Sequence, residues 1–275
     1  MNQPINWYPG HMAKAKRLLT EQLKRVDLVL ELCDARLPHS SRNPDLDKLI
    51  EDRKRILILN KADLAEPGAS AAWRAFFQEQ GLRTETISCQ RLKSSEAIRW
   101  IEEETREATE RAASRGIRKT VHVMVVGVPN VGKSTFITRL HGGATAQTGD
   151  RPGVTKSNQW IRIHPYLELL DTPGLLWPRL ENQTAARRLC YIGTIRDEVV
   201  DQEELALHLL EDIAAVKPQA LTERFHVQET DLHGVDLLDA VCRGRGCLLR
   251  GSESDYARAS AMILDEFRSG KMGRM

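Results

Sequence analysis

The run Gly127-Val128-Pro129-Asn130-Val131-Gly132-Lys133-Ser134 has the composition of a loop that grips phosphate. Its glycines let successive backbone N–H groups turn inward on an anion. Lys133 supplies positive charge to the β and γ oxygens of a nucleotide, and the Ser134 hydroxyl is a ligand for Mg²⁺. Asn130, Val131, Gly132 and Thr135 complete the stretch expected to touch nucleotide. The context agrees, because residues 121 to 126 read as a strand ending at the loop. Residues 133 to 141 then begin a helix whose positive end faces the phosphates. Farther on, Asp171-Thr172-Pro173-Gly174 closes another strand. There Asp171 can reach Mg²⁺ through water, and the Gly174 N–H can face a γ-phosphate. Asp and Gly at this spacing recur by chance, so the weight of this tetrapeptide comes from its position after the phosphate loop.

Asn60-Lys61-Ala62-Asp63 ends a third apolar run and carries the choice of base. A carboxylate at Asp63 accepts from both N1–H and the exocyclic amine of guanine, a donor pair that adenine does not offer. A buried carboxylate left unpaired makes the wrong base costly. Ile87-Ser88-Cys89 ends the following strand. Either its backbone and Ser88 meet guanine O6, or it is an ordinary strand end. Together these residues specify guanine-nucleotide binding, but in an unusual order, with the base-reading motif ahead of the phosphate loop. The ends of a compact domain often lie at its surface, so such a site survives re-cutting of the chain.

A parallel sheet is needed to bring these loops together. Residues 12 to 25 read as a short basic helix (Lys14, Lys16, Arg17, Lys24, Arg25) leading into a strand over 26 to 32. Arg42-Asn43-Pro44 opens a helix, with proline suited to a first turn. A buried strand over 55 to 59 stops at Asn60, a helix over 69 to 80 stops at Gly81, and a strand covers 82 to 87. A long charged helix runs from 94 to 115, and 116 to 119 form a linker. Residues 142 to 157, rich in Gly, Thr and Asp, read as a mobile loop. Two further strands cover 159 to 163 and 167 to 170. From Gln183 onward only amphipathic helical stretches remain, over 183 to 194, 201 to 215, 235 to 243 and 254 to 268. The expected fold class is α/β. A six-stranded, mostly parallel sheet with helices on both faces spans 1–180, and a small all-helical domain spans 181–275.

Bulk composition excludes little. The 275 residues are 41% hydrophobic and 28% charged, ordinary for a globular protein. A formal charge of +2 is too mild to prove nucleic-acid binding by itself. Cys33, Cys89, Cys190, Cys242 and Cys247 are odd in number and lack the spacing of a zinc site, which supports neither a disulfide framework nor a metal finger. A reducing cytosol suits them. No export signal is visible in residues 1 to 12, and no apolar run has membrane-spanning length.

Nearly end to end, the chain resembles the circularly permuted GTPases, most closely the ribosome biogenesis GTPase A (YlqF-type) family. The marks are the leader Trp7-Tyr8-Pro9-Gly10-His11-Met12, Asp34-Ala35-Arg36-Leu37-Pro38 with Arg42-Asn43-Pro44, and the re-ordered nucleotide motifs. Gly149-Asp150-Arg151-Pro152-Gly153-Val154-Thr155 and residues 267 to 274 complete them. The resemblance implies a cytoplasmic enzyme hydrolysing GTP to GDP and phosphate in late assembly of the large (50S) ribosomal subunit. Its partners would be GTP, GDP and a subunit precursor with its rRNA. It would have no membrane association and would be a monomer away from the ribosome.

The same resemblance gives Thr155 the role of the switch threonine that completes the Mg²⁺ shell. Asn130 resembles a K⁺ ligand of potassium-activated GTPases, with a simple turn residue as the other reading. Leu175 stands where Ras-like enzymes carry the water-orienting glutamine, so intrinsic turnover should be slow. His11 is the family's candidate to orient the water, and an exposed histidine near a frayed terminus is the alternative. Asp34, Arg36 and Arg42 read as salt-bridge and turn residues in preference to direct ribosome contacts. Arg243, Arg245, Arg250, Arg258, Arg268, Lys271 and Arg274 form a basic end that suits rRNA phosphates, extended by Arg187, Arg188 and the leader helix, with a solvated helix face as the other reading. Two rival functions remain at this level. One is an RNA-binding assembly protein with structural nucleotide, and the other is a GTPase of a pathway such as tRNA modification.

Overall fold

Apolar runs that end at Asn60 and just before Gly127 form strands, and charged helices lie between the strands. The computed structural model describes residues 5, 10–50, 53–142, 159–174, 176, 182–229 and 231–275, with 10–16 and 159 described by backbone alone. The chain divides into two units, one of Asn6–Leu180 and one of Met1–Ile5 with Glu181–Met275.

In the first unit the order is α1 (Gly10–Leu23), β1 (Leu28–Asp34), α2 (Pro44–Leu49), β2 (Lys54–Asn60), α3 (Pro67–Glu79), β3 (Arg83–Thr86) and α4 (Ser94–Ala113). There follow β4 (Val121–Val126), α5 (Lys133–His141), β5 (Gln159–His164) and β6 (Leu167–Asp171). The six strands lie in the order β3-β2-β1-β4-β6-β5. All neighbours are parallel except the β5–β6 pair. Strand order reverses between β1 and β4, and in such sheets ligands bind beyond the carboxyl ends of the strands at this switch point. Asp34, Asn60, the loop after β4 and Asp171 all lie at those ends.

β1 is buried along its whole length, including Glu31 in its middle. Glu31 is satisfied by Arg42, whose Nε and Nη2 donate at 3.1 and 3.2 Å, and by Arg55 Nη1 at 3.2 Å. Asp47 also accepts from both arginines, and the Arg42 guanidinium lies over the Phe77 ring. Arg42 therefore takes the ion-pair role: it neutralises a carboxylate that a central strand could not otherwise bury. Asn43 caps α2 by accepting from the Asp45 N–H at 3.0 Å, with Pro44 in the first turn.

The second unit comprises α6 (Gln183–Tyr191), a 3-10 turn (Asp197–Val199), α7 (Gln202–Val216), α8 (Gln219–Phe225), α9 (Gly234–Arg245) and α10 (Tyr256–Ser269). The sequence pattern does not announce α8, a seven-residue helix that starts after Pro218 and buries Ala220, Leu221 and Phe225. Leu205, Leu209, Val241, Ile263 and Phe267 contribute to the core of this unit.

Two of the arginines expected at an RNA-facing surface are instead internal anchors. Glu266, 4% exposed, accepts from Arg224 Nε and Nη2 at 2.7 and 2.6 Å and from Arg245 Nη2 at 3.0 Å. Arg268 forks onto Asp197 at 2.7 Å and donates to the carbonyls of Cys190 and Tyr191. Arg243 pairs with Asp239 and Lys271 with Asp265. Arg250, Arg258 and Arg274 are exposed. Removing Glu266 would leave two partly exposed guanidiniums facing each other, so Glu266→Ala should cost this unit about 1–2 kcal/mol, read as a lowered unfolding midpoint.

Candidate nucleotide-binding site

The loop after β4 is built around a lysine that has turned back on it. Lys133 is 6% exposed, and its Nζ donates to the carbonyls of Gly127 at 3.1 Å and Val128 at 2.9 Å. Burial pushes the ammonium down to about 8, against the pull of Asp171. A bound phosphate would favour the charged form again. Above pH 8 the free loop loses its proton while the occupied loop keeps it, so affinity should fall as pH rises through that point. Proton uptake from the buffer on GDP binding should therefore grow as pH rises from neutrality through the region around 8. Calorimetric titration in two buffers of different ionisation heat measures this uptake. Equal heats at pH 8 would show that Lys133 stays charged in the free loop.

Asn60 ties the site together. Its Nδ2 donates to the Val131 carbonyl at 2.8 Å, and its Oδ1 accepts from the Cys89 N–H at 3.0 Å. One amide at the end of β2 thus fixes the phosphate loop on one side and the strand-end loop after β3 on the other. The approach is close: a Cβ on Gly132, whose φ is 96°, would lie 2.3 Å from Asn60 Nδ2. The Cys89 N–H, one of the groups expected near guanine O6, is engaged by Asn60 here, and burial pushes the Cys89 thiol up to about 12. The Ser88 carbonyl accepts from the N–H groups of Arg91 and Leu92. Arg139 of α5 donates to the Gln90 carbonyl at 2.7 Å, a tether that has no signature in sequence.

The segment after β6 is packed against the same loop. Thr172 Oγ1 donates to the Val125 carbonyl at 2.6 Å, and a Cβ on Gly174 would meet Pro129 N and Cγ at 2.7 Å. Asp171 is buried beside Lys133 as its electrostatic partner. Ser134 and Thr135 lie in the first turn of α5. Asn130 has φ 64°, a left-handed conformation that asparagine tolerates better than most residues, which gives its turn reading a physical basis. Lys61 has φ 62° and forms an ion pair with Asp34 at 3.2 Å. Asp63 is half-buried. Thr155, Leu175, Trp7 and Tyr8 lie outside the described residues, and His11 is described only as backbone in α1. As for Mg²⁺, the Ser134 hydroxyl and the Asp171 carboxylate are hard oxygen donors next to a phosphate loop, a set that fits this ion.

A switch-point loop closed over a buried lysine, joined by one asparagine to a base-side strand end, defines a P-loop nucleotide-binding domain. Here its base-side strands come first in the chain. Comparison with known proteins agrees. A family model described as "50S ribosome-binding GTPase" matches residues 122–235. Ribosome biogenesis GTPase A of Priestia megaterium is 42% identical over 98% of this chain and 94% of its own length. Mitochondrial ribosome-associated GTPase 1 of Mus musculus is 34% identical over 98% of this chain and 88% of its own. The crystal structure of GNP-bound YlqF from T. maritima aligns with a TM-score of 0.65 at 25% identity, covering 95% of this chain and 96% of that one. The chain belongs to the ribosome biogenesis GTPase A family. It is a circularly permuted, ribosome-related GTPase that hydrolyses GTP. Among the described residues, no helix is long and apolar enough to cross a membrane.

Proposed function

We propose that this GTPase acts in late assembly of the large (50S) ribosomal subunit, docking on a precursor when GTP-bound and leaving after hydrolysis that the subunit stimulates. The observation that carries the nucleotide half is Lys133, buried, folded onto the Gly127 and Val128 carbonyls and electrostatically paired with Asp171. The ribosomal half is supported by relatives whose names place them in ribosome biogenesis or in association with mitochondrial ribosomes.

In this reading Asn60, Lys61 and Asp63 select guanine, with Ser88 and Cys89 lining the base. Asn130, Val131, Gly132, Lys133, Ser134 and Thr135 wrap the phosphates. Lys133, with three donors, supplies charge to the β and γ oxygens from its place among the loop carbonyls, and the Gly174 N–H faces the γ-phosphate. Ser134, Asp171 and Thr155 would hold Mg²⁺, which would neutralise charge on the phosphates. Asn130 is the proposed K⁺ ligand. Leu175 cannot orient the attacking water, so the intrinsic rate is slow. His11 is the residue assigned to supply that function on the ribosome. The GTPase domain is 1–180. The helical domain 181–275 binds rRNA through its exposed basic face, where Arg250 and Arg258 lie, and that affinity falls steeply with salt. The chain runs from Gly174 through 175–181 into the helical domain. A change at the γ-phosphate is therefore linked to the docking domain by the chain itself. The protein works in the cytoplasm and is a monomer off the ribosome.

The test is GTP hydrolysis with and without purified large subunits, in K⁺ and in Na⁺. Stimulation by subunits, larger in K⁺, is expected. No stimulation in either salt would overturn the docking cycle.

A further inference from the structure

Asp34 and Arg36, to which the nucleotide scheme gives no task, form an ionic cluster with Lys61 at the base-side end of the sheet. The Asp34 side chain is fully buried and that of Arg36 is 1% exposed, while that of Lys61 is 26% exposed. Asp34 Oδ1 accepts from the Arg36 N–H at 3.1 Å and from Arg36 Nε at 2.9 Å. Oδ2 accepts from Arg36 Nη2 at 2.8 Å and lies 3.2 Å from Lys61 Nζ. The backbone is stitched at the same level. Asp34 stands opposite Asn60 in the β1–β2 register, and the Ala35 N–H donates to the Asn60 carbonyl at 2.7 Å. Ser41 Oγ accepts from the Asp34 N–H at 3.0 Å and donates to the Leu37 carbonyl at 2.8 Å, so the turn carrying Arg36 is closed as well.

We propose that Asp34, locked by Arg36, is a positioning residue that presets Lys61 for the guanine base. The inference rests on Lys61 lying in the base pocket, as proposed above. A lysine stem has four carbons of rotational freedom, which a nucleotide would otherwise have to freeze on binding. The contact with Asp34 spends that entropy during folding. The left-handed backbone at Lys61 is a conformation that L residues adopt only at a cost, and the surrounding structure must hold it there. Arg36 has two effects. Its fork prevents the carboxylate from rotating, and its charge offsets that of Asp34, so Lys61 is tethered without being neutralised. Burial alone would push the Asp34 carboxyl up, but Arg36 and Lys61 outweigh it and hold the group well below the usual carboxylate range. Asp34 is therefore ionised throughout the pH range in which the enzyme would bind nucleotide.

The test is a double-mutant cycle read as GDP affinity, with melting temperature recorded for each variant. Asp34→Asn and Lys61→Met should each weaken GDP and GTP alike by about tenfold, the scale of one charge-assisted contact. The double variant should be no weaker than Lys61→Met alone, because Asp34 acts only through Lys61. Preference for guanine over xanthine should persist in Asp34→Asn, since Asp63 is intact. Arg36→Gln serves if Asp34→Asn fails to fold. It keeps the carboxylate, releases the fork, and should weaken GDP about threefold, again only when Lys61 is present. Additive losses in either cycle, or an unchanged affinity in Asp34→Asn, would overturn the proposal. An unchanged affinity in Lys61→Met would instead remove Lys61 from the base pocket and take this inference with it.

Discussion

Asp63→Asn should bind xanthosine diphosphate in preference to GDP. In the proposed scheme the carboxylate at this position would accept from two donors on the guanine edge. An amide presents a donor of its own to the exocyclic amine, replacing an attraction with a clash of N–H groups. Xanthine carries a carbonyl where guanine carries that amine, so the amide donor is matched again. Loss of two charge-assisted bonds at a desolvated edge should weaken GDP about 10²–10³-fold. Competition between the two diphosphates reads the reversal directly. A gain for xanthine cannot come from misfolding, which makes the result informative whatever the variant's stability. Wild-type GDP affinity in Asp63→Asn would remove Asp63 from the site.

The second large effect is expected at Gly174. Its N–H is assigned to the γ-phosphate, yet an added Cβ would lie 2.7 Å from the Pro129 nitrogen and 2.8 Å from its Cα. Those are backbone and ring atoms that cannot swing aside, so Gly174→Ala must move its segment off the phosphate loop. Removing one donor aimed at developing charge lowers turnover by about 10²–10³-fold. GDP affinity should change little, because Asn60, Asp63 and Lys133 are untouched. Single-turnover hydrolysis beside equilibrium GDP binding separates the two effects. Equal losses in both would mean that alanine had damaged the loop itself, and unchanged turnover would exclude a γ-phosphate role.

The sheet and the phosphate loop were legible in the sequence for a physical reason. Buried parallel strands must be nearly continuous in apolar residues, and Val121–Val126 and Lys54–Asn60 end abruptly at the residues that do the chemistry. The order of motifs showed the permutation because the phosphate loop and Asn60-Lys61-Ala62-Asp63 can each be recognised alone, while Asp171 to Gly174 gains its weight from its place after that loop. What stayed hidden were contacts between residues distant in the chain. Glu31 interrupts β1 with a charge, and only the return of Arg42 and Arg55 to the same place explains how it can be buried. Arg245 and Arg268 count as surface charge in a composition argument, whereas the fold turns them inward onto Glu266 and Asp197. α8 escaped because three buried residues in seven make too short a period to recognise. Asp34 and Arg36 were visible as marks of the family, but their link to Lys61 needs the strand register, which no local pattern contains.

The posture of Lys133 bears on how the phosphate loop keeps its shape. An ammonium carries three donors, and two of them meet carbonyls of the loop itself, those of Gly127 and Val128. A third remains for a phosphate oxygen, so in the proposed scheme one side chain both shapes the loop and meets the ligand. The loop's form and its charge therefore cannot be altered separately by substitution at position 133.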